Sequence, residues 1–378
     1  MQISKELSSR TPCLLLDRTK LQNNIERMVS RYKNSGIRLR PHLKTSKSAQ
    51  IAELFTRSNI HLFTVSTLRE AEYFVANGIK DILYAVSMVA NKITRVDNLN
   101  KQGANIAICV DSLESVNALI EQTTEKPIEL YIEVDLDQHR TGVNPHDKDL
   151  LVSIAKLANF TTNLKFKGVL AHAGESYSCQ TIEAISEAAT NERRLASIAA
   201  QHIKNAGIDC DSVSVGSTPT ASVGGSLYDV TEMRAGVFVF QDLFQSNLGI
   251  CDRRDIALSV LTTIISHSSA NKRLVVDAGG MAMSKDRSTA SQKFDCKYGL
   301  VADLDGNIIP NLILDNVNQE HGYITTTDNS PLNYEQYKIG SHLRILPNHA
   351  CMTASAHSGY HIVENNKIMD YWQRINGW

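Results

Sequence analysis

From residue 37 to about residue 250 the chain alternates, eight times in succession, a short apolar run with a longer amphipathic segment. No other feature restricts the fold as strongly. The runs are Ile37–Thr45, His61–Ser66, Ile82–Ser87, Ile106–Val110, Ile128–Asp135, Phe166–Ala173, Ser212–Gly216 and Thr231–Arg234. Short apolar runs bounded by turns read as buried strands, and the segments between them carry apolar residues at helical spacing. After Asp111, for instance, Leu113, Val116, Leu119 and Ile120 fall on one helical face. Thr67-Leu-Arg-Glu70 and Asp111-Ser-Leu-Glu114 have the form of capping boxes placed directly after a strand. Eight βα units in series predict an α/β fold, a closed (β/α)8 TIM barrel. The open doubly wound sheet is the alternative, but no dinucleotide-binding glycine fingerprint supports it.

Beyond residue 255 the texture changes. Ile256–Ser266, Lys272–Ala278, Tyr298–Ala302, Asn307–Leu314, Gly322–Thr326 and His342–Leu346 are strand-like, and turns such as Asp305-Gly-Asn307 separate them. These runs predict a C-terminal, mainly antiparallel β domain. A chain of 378 residues exceeds what one core usually organises. The expected division is a barrel over 11–250 and a β domain over 251–378 that includes 1–10. The opening strand-like segment, Thr11–Asp17, is available to pair with that β domain. A net charge of -1 with no basic block gives nucleic-acid binding no electrostatic support. No run approaches the roughly 18 apolar residues of a membrane span, and the first residues lack an apolar signal core. The seven cysteines are scattered and never spaced CxxC, with Cys13 and Cys109 inside apolar runs. That usage fits reduced thiols in the cytoplasm.

Three short motifs carry chemistry. Arg40-Pro-His-Leu-Lys-Thr-Ser46 sets Lys44 at the C-terminal end of the first barrel strand, the face on which such barrels build active sites. A lysine there can condense with an aldehyde, although a lone strand-end lysine is more often simply solvated. Val215-Gly-Ser-Thr-Pro219 and Arg234-Ala-Gly-Val237 follow the last two barrel strands, where barrels commonly bind phosphate. Pro347-Asn-His-Ala-Cys-Met352 spaces His349 and Cys351 two apart, so an extended segment would present both on one face. Imidazole and thiolate together suit Zn²⁺ and other borderline metals. A buried cysteine beside a chance histidine is the plainer reading of that pair taken alone.

Arg-Pro-His-x-Lys-Thr, Gly-Ser-Thr-Pro-Thr and Pro-Asn-His-x-Cys, in this order, resemble the D-threonine aldolase and eukaryotic-type D-serine dehydratase family. Its members have an alanine-racemase-like N-terminal barrel, fold type III among pyridoxal 5'-phosphate (PLP) enzymes. The resemblance covers nearly the whole chain. It implies PLP bound covalently to Lys44 and its phosphate gripped by Gly216, Ser217, Thr218, Gly236 and Val237. Within Glu133–Gly142 it brings Arg140 toward the cofactor ring, and it sets Arg234 where racemases face the pyridine nitrogen. His172 and Tyr177 are implied to line the pocket. His349 and Cys351 match the metal pair, for Zn²⁺ ahead of Mn²⁺. Cysteine at the second ligand position, where the aldolases have aspartate, points to β-elimination from a small D-β-hydroxy amino acid. Retro-aldol cleavage is the alternative. Asp277-Ala-Gly-Gly-Met-Ala282 departs from the family's Asp-Ala-Gly-Ser-Lys-Ala, and Gln319-Glu-His-Gly322 keeps only part of its pattern. Both departures bear on substrate identity.

Two other functions compete. A racemase needs a second base, for which Tyr298, Tyr323 and Tyr360 are unassigned candidates. A non-catalytic PLP carrier is a single barrel, and the extra C-terminal domain argues against it. Racemase-like relatives imply a head-to-tail homodimer.

Overall fold

The computed structural model describes residues 7, 9–137 and 140–378. The chain divides into two compact units, one of residues 27–236 with 377–378, the other of 1–26 with 237–376. The 237–250 stretch and the opening strand thus belong to the second unit.

Strand β1 (Cys13–Asp17) comes first in the chain but belongs to the β unit. The barrel unit follows with β2 (Arg38–Leu39), β3 (Leu62–Val65), β4 (Asp81–Ser87), β5 (Asn105–Val110), β6 (Ile128–Val134), β7 (Leu164–Ala171), β8 (Ser212–Val215) and β9 (Glu232–Met233). All eight pair in parallel in the order β2-β9-β8-β7-β6-β5-β4-β3. The ring closes where the Thr64 N–H donates to the Pro41 carbonyl at 2.9 Å and Leu43 N–H donates to Thr64 O at 2.8 Å. Each expected run contains a strand, but the first is far shorter than Ile37–Thr45. Proline has no N–H to give a ladder, and after Pro41 the chain turns, so Lys44 lies in a turn rather than on a strand.

Thr67 caps its helix as expected, accepting from Glu70 N–H at 3.0 Å. The second cap is shifted by one residue. Ser112 rather than Asp111 is the N-cap, accepting from Ser115 N–H, and Asp111 instead accepts from Gly142 N–H at 3.3 Å. Asp111 is thus drawn off by tertiary contact, the usual competitor of a local cap.

Inside the barrel, below the strand ends, lies a polar network. Buried Arg40 pairs through Nε with Glu232 at 2.9 Å and through Nη1 with Asp81 at 2.6 Å. Ser214 Oγ donates to Glu232 at 2.6 Å. Burial alone would raise the Glu232 carboxyl, but Arg40 outweighs it and holds it below the usual carboxylate range. Buried charges persist only when paired in this way.

In the second unit, β10 (Leu258–Ser268), β11 (Arg273–Val276), β12 (Leu300–Ala302), β13 (Ile308–Val317), β14 (Gly322–Thr326) and β15 (His342–Leu346) match the six expected strands. They pair antiparallel in the order β11-β14-β13-β12-β15-β10, and β11 also pairs with β10, so this sheet closes too. β1 joins it, antiparallel to β10 and parallel to β16 (Gly359–Glu364), which pairs with β17 (Lys367–Gln373). The last two strands were missed by pattern: the exposed positions of Lys367–Gln373 break any alternation, as expected at a sheet edge. Among the described residues no helix is long and apolar enough to cross a membrane.

Candidate active site

Parallel βα units send every strand end to one face, and there the barrel unit gathers its chemistry. Lys44 lies in the turn after β2 and is exposed. Its backbone N–H points at Nδ1 of His42 at 3.4 Å, and His42 Nε2 lies 3.2 Å from Ser66 Oγ just after β3. Burial, then neighbouring Lys44 and Arg234, pull His42 well below the usual imidazole range. A neutral ring can accept the Lys44 amide at Nδ1.

His172, one residue past β7, lies 2.9 Å through Nδ1 from the Gly216 carbonyl. A carbonyl only accepts, so Nδ1 carries the proton. Burial is the main force on this ring, and Arg140, Lys44 and Arg234 add to it, bringing it down to about 3 despite the Gly216 carbonyl. The ring is therefore neutral at ordinary pH, with a lone pair on Nε2. Tyr177, in the turn Gly174–Tyr177, sets its ring 6.2 Å from that of His172. Arg140 is exposed and shares a cavity wall with Glu133, Asp137, Thr141 and His172. Its neighbours Gln138 and His139 lie outside the described residues.

After β8, Gly216 adopts φ +126°, and a Cβ there would run into the Arg234 carbonyl and lie 2.7 Å from Met233 Sδ. Ser217 caps the short helix Thr218–Ser222 in a capping box with Thr220, and its hydroxyl also lies 3.0 Å from Ser176 Oγ. Arg234 is buried, donating to Ser214 Oγ at 2.8 Å and to Ala171 O at 2.7 Å. Gly236 keeps the backbone close, since a Cβ there would come 2.9 Å from the His42 carbonyl. Val237 opens the other unit in the turn Val237–Val239. A primary amine, a hydroxyl-rich helix start and close-packed glycines form a donor set that fits a phosphate-bearing aldehyde such as PLP.

The β unit holds the expected metal pair, but not in an extended segment. His349 is the N-cap of the helix Ala350–Ser355, and Cys351 lies in its first turn. Cys351 still lies close enough to His349 to act on the charge of its ring. His349 Nδ1 also lies 3.0 Å from Asp286 Oδ2. Burial works against the imidazolium, yet Asp286 and Cys351 hold His349 up at about 11. Asp286 is held down at about 2: burial opposes this, and His349 and Ser288 outweigh it. Asp242 is buried, accepts from Ala350 N–H at 3.0 Å, and is pushed up to about 6 by that burial. Among the described residues no three His, Cys, Asp or Glu side chains gather to hold a metal ion. Imidazole plus thiol still fits a borderline divalent metal with open positions. A carboxylate on Nδ1 is the usual support of a metal-ligating histidine, because it fixes the ring and leaves Nε2 outward.

The family described as alanine racemase, N-terminal domain, matches residues 16–243, and the putative serine dehydratase domain matches residues 257–363. D-threo-3-hydroxyaspartate dehydratase of Delftia sp. (strain HT23) is 42% identical over 98% of this chain and 99% of its own. The chain belongs to the D-threonine aldolase and D-serine dehydratase family. D-serine dehydratase of Dictyostelium discoideum, another member, is 32% identical over 97% of each chain. The solved structure of the Delftia sp. HT23 dehydratase superposes with a TM-score of 0.94, covering 97% of this chain and 98% of that one. A variant of that enzyme is known in a metal-free form. Members of this family are lyases, and so is this chain; PLP is the cofactor that fits it.

Sequence reasoning passed over Glu192, Asp286, Asp242 and His42. Glu192 left a trace, because it shares a helical stripe with Ile185 and Ala189, where a carboxylate would be buried. Asp286 left none; it lies 63 residues from its histidine.

Proposed function

We propose that this lyase catalyses β-elimination from a small D-β-hydroxy amino acid, D-threo-3-hydroxyaspartate ahead of D-serine, giving a keto acid and ammonia. The observation that carries the proposal is the gathering of Lys44, His172, Arg234 and the Gly216–Thr218 segment at the strand ends of one barrel. When bound, PLP supplies an electron sink for negative charge at Cα, and a divalent metal a Lewis acid for the β-oxygen.

Lys44 would hold the cofactor, and its Nζ is the candidate to take the Cα proton. Gly216, Ser217, Thr218, Gly236 and Val237 would grip the phosphate. Neutral His172, oriented by the Gly216 carbonyl, can accept a hydrogen bond at Nε2 but cannot supply a cation. His349 and Cys351 would hold the metal, Zn²⁺ ahead of Mn²⁺, with Asp286 orienting His349. In this reading the barrel holds the cofactor and the β unit the metal.

The three tyrosines of the racemase alternative all lie in the β unit. Tyr360 is buried and accepts from Arg374 Nε at 3.0 Å, and Tyr323 OH accepts from Asn318 at 2.8 Å. The Arg287 guanidinium lies over the Tyr298 ring at 5.1 Å. A cytoplasmic location fits the seven free thiols, and a head-to-tail homodimer is what the family resemblance implies. A fully active monomer by light scattering would refute the dimer.

The test is to incubate the protein with D-threo-3-hydroxyaspartate, D-serine and D-threonine, with and without chelator, and identify products. Oxaloacetate and ammonia from the first substrate, lost on chelation, are expected. Glyoxylate and glycine from it would establish retro-aldol cleavage instead.

A further inference from the structure

The long helix Ile182–Asn205 turns an Ala, Ile and Leu stripe toward the barrel, yet Glu192 and Arg193 interrupt it, each 1% exposed. Buried charges in a helix interior are costly unless they are bonded, so the partners of these two are informative. Glu192 Oε1 accepts from the backbone N–H of Ala173 at 3.0 Å and of Gly216 at 3.0 Å. Ala173 immediately follows His172, and the Gly216 carbonyl is the group that orients His172. Arg193 donates through Nη2 to Thr220 O at 2.8 Å, and through Nη1 to Gly224 O and Ser226 O, both at 3.3 Å. Gly225 has φ +117°, and a Cβ on it would lie 3.4 Å from Arg193 Nη1. The loop therefore wraps the guanidinium closely.

We propose that Glu192 and Arg193 are the positioning pair of the phosphate-gripping segment, Glu192 fixing its start and Arg193 its end. The inference rests on the PLP reading above and adds a mechanism to it. The carboxylate anchors the entry at Gly216 together with the neighbouring His172 strand end. The guanidinium satisfies the Thr220 carbonyl of the short helix Thr218–Ser222, whose last C=O groups have no intrahelical partner, and two carbonyls of the loop that follows it. Five residues cannot hold a helix by themselves. The segment keeps its shape because two adjacent side chains of a rigid 24-residue helix clamp both ends.

The test measures affinity of the apoprotein for PLP and for pyridoxal, which has the aldehyde but no phosphate. A positioning pair acts on the ratio of the two affinities, whereas a purely structural role lowers both together with the melting temperature. Glu192→Leu and Arg193→Met should each shrink the PLP-over-pyridoxal preference by tenfold or more, with pyridoxal affinity nearly unchanged, on the order expected for lost charge-assisted hydrogen bonds. Glu192→Gln, which keeps an acceptor, should recover most of the preference. If either truncation fails to fold, Arg193→Lys is read in its place and should lose at least threefold, because an ammonium cannot reach three carbonyls in a fork. Folded variants with the wild-type preference would overturn the proposal. A wild-type protein that binds neither aldehyde at Lys44 would instead overturn the cofactor reading.

Discussion

Gly216→Ala tests how much of the site depends on one backbone position. Gly216 has φ +126°, a conformation L-residues rarely adopt, and forcing one there costs about 1–2 kcal/mol. The new methyl would also meet the Arg234 carbonyl and the Met233 sulfur, and overpacking of that kind costs about 1–3 kcal/mol. Together the barrel unit should lose about 2–5 kcal/mol, a fall in melting temperature of about 4–20 °C for a domain of this size. The loss should not be confined to stability. Gly216 N–H is held by Glu192 and its carbonyl by His172, so displacing it tilts both. PLP affinity should fall at least tenfold, about 1.4 kcal/mol. Differential scanning fluorimetry of the apoprotein and a PLP titration measure the two effects. An alanine variant that melts within a degree of wild type and binds PLP equally well would refute the packing argument.

Lys44→Ala should keep the fold, since the side chain is exposed, but lose the pyridoxyl group that borohydride fixes in the wild type. Mass spectrometry of the digest decides this, and an adduct on Lys47 would contradict it. Chelation should abolish lyase activity and make Cys351 alkylatable by iodoacetamide, with PLP absorbance retained; Cys351→Ala should copy the loss. Full activity in a checked metal-free protein would show the metal to be non-catalytic. His172 predicts a pH effect of definite sign. Its folded pKa of about 3 lies below the ordinary 6.5, so the stability it confers is complete above 6.5 and lost as pH falls toward 3. Urea unfolding between pH 4 and 7 should show a shallower acid decline for His172→Gln, and identical slopes would count against a buried neutral ring.

The βα alternation was legible because side-chain periodicity is a local property: all eight runs contain a strand, and six of the eight β-unit strands after residue 250 were visible in the same way. The strand-end positions of Lys44 and Gly216 were also legible, whereas His172 was named by the family resemblance. A parallel barrel sends every strand end to one face, so their place follows from chain order alone. What was not legible depends on residues distant in sequence. β17 is an edge strand with little buried pattern, and Asp111 left its expected cap for Gly142.

His349 and Cys351 meet although the extended geometry expected for them is absent, because a helix begins between them. Their spacing in the chain offered the pair, and the family resemblance gave it its expected role. Only the tertiary structure brought Asp286 to His349 and Glu192 to Gly216, since an ion pair or a buried acceptor is defined by distance in space. The same holds for protonation. Sequence named the histidines, but burial and nearby cations pull His172 down while Asp286 and Cys351 raise His349, because a pKa records the dielectric and charges around a group rather than its neighbours in the chain.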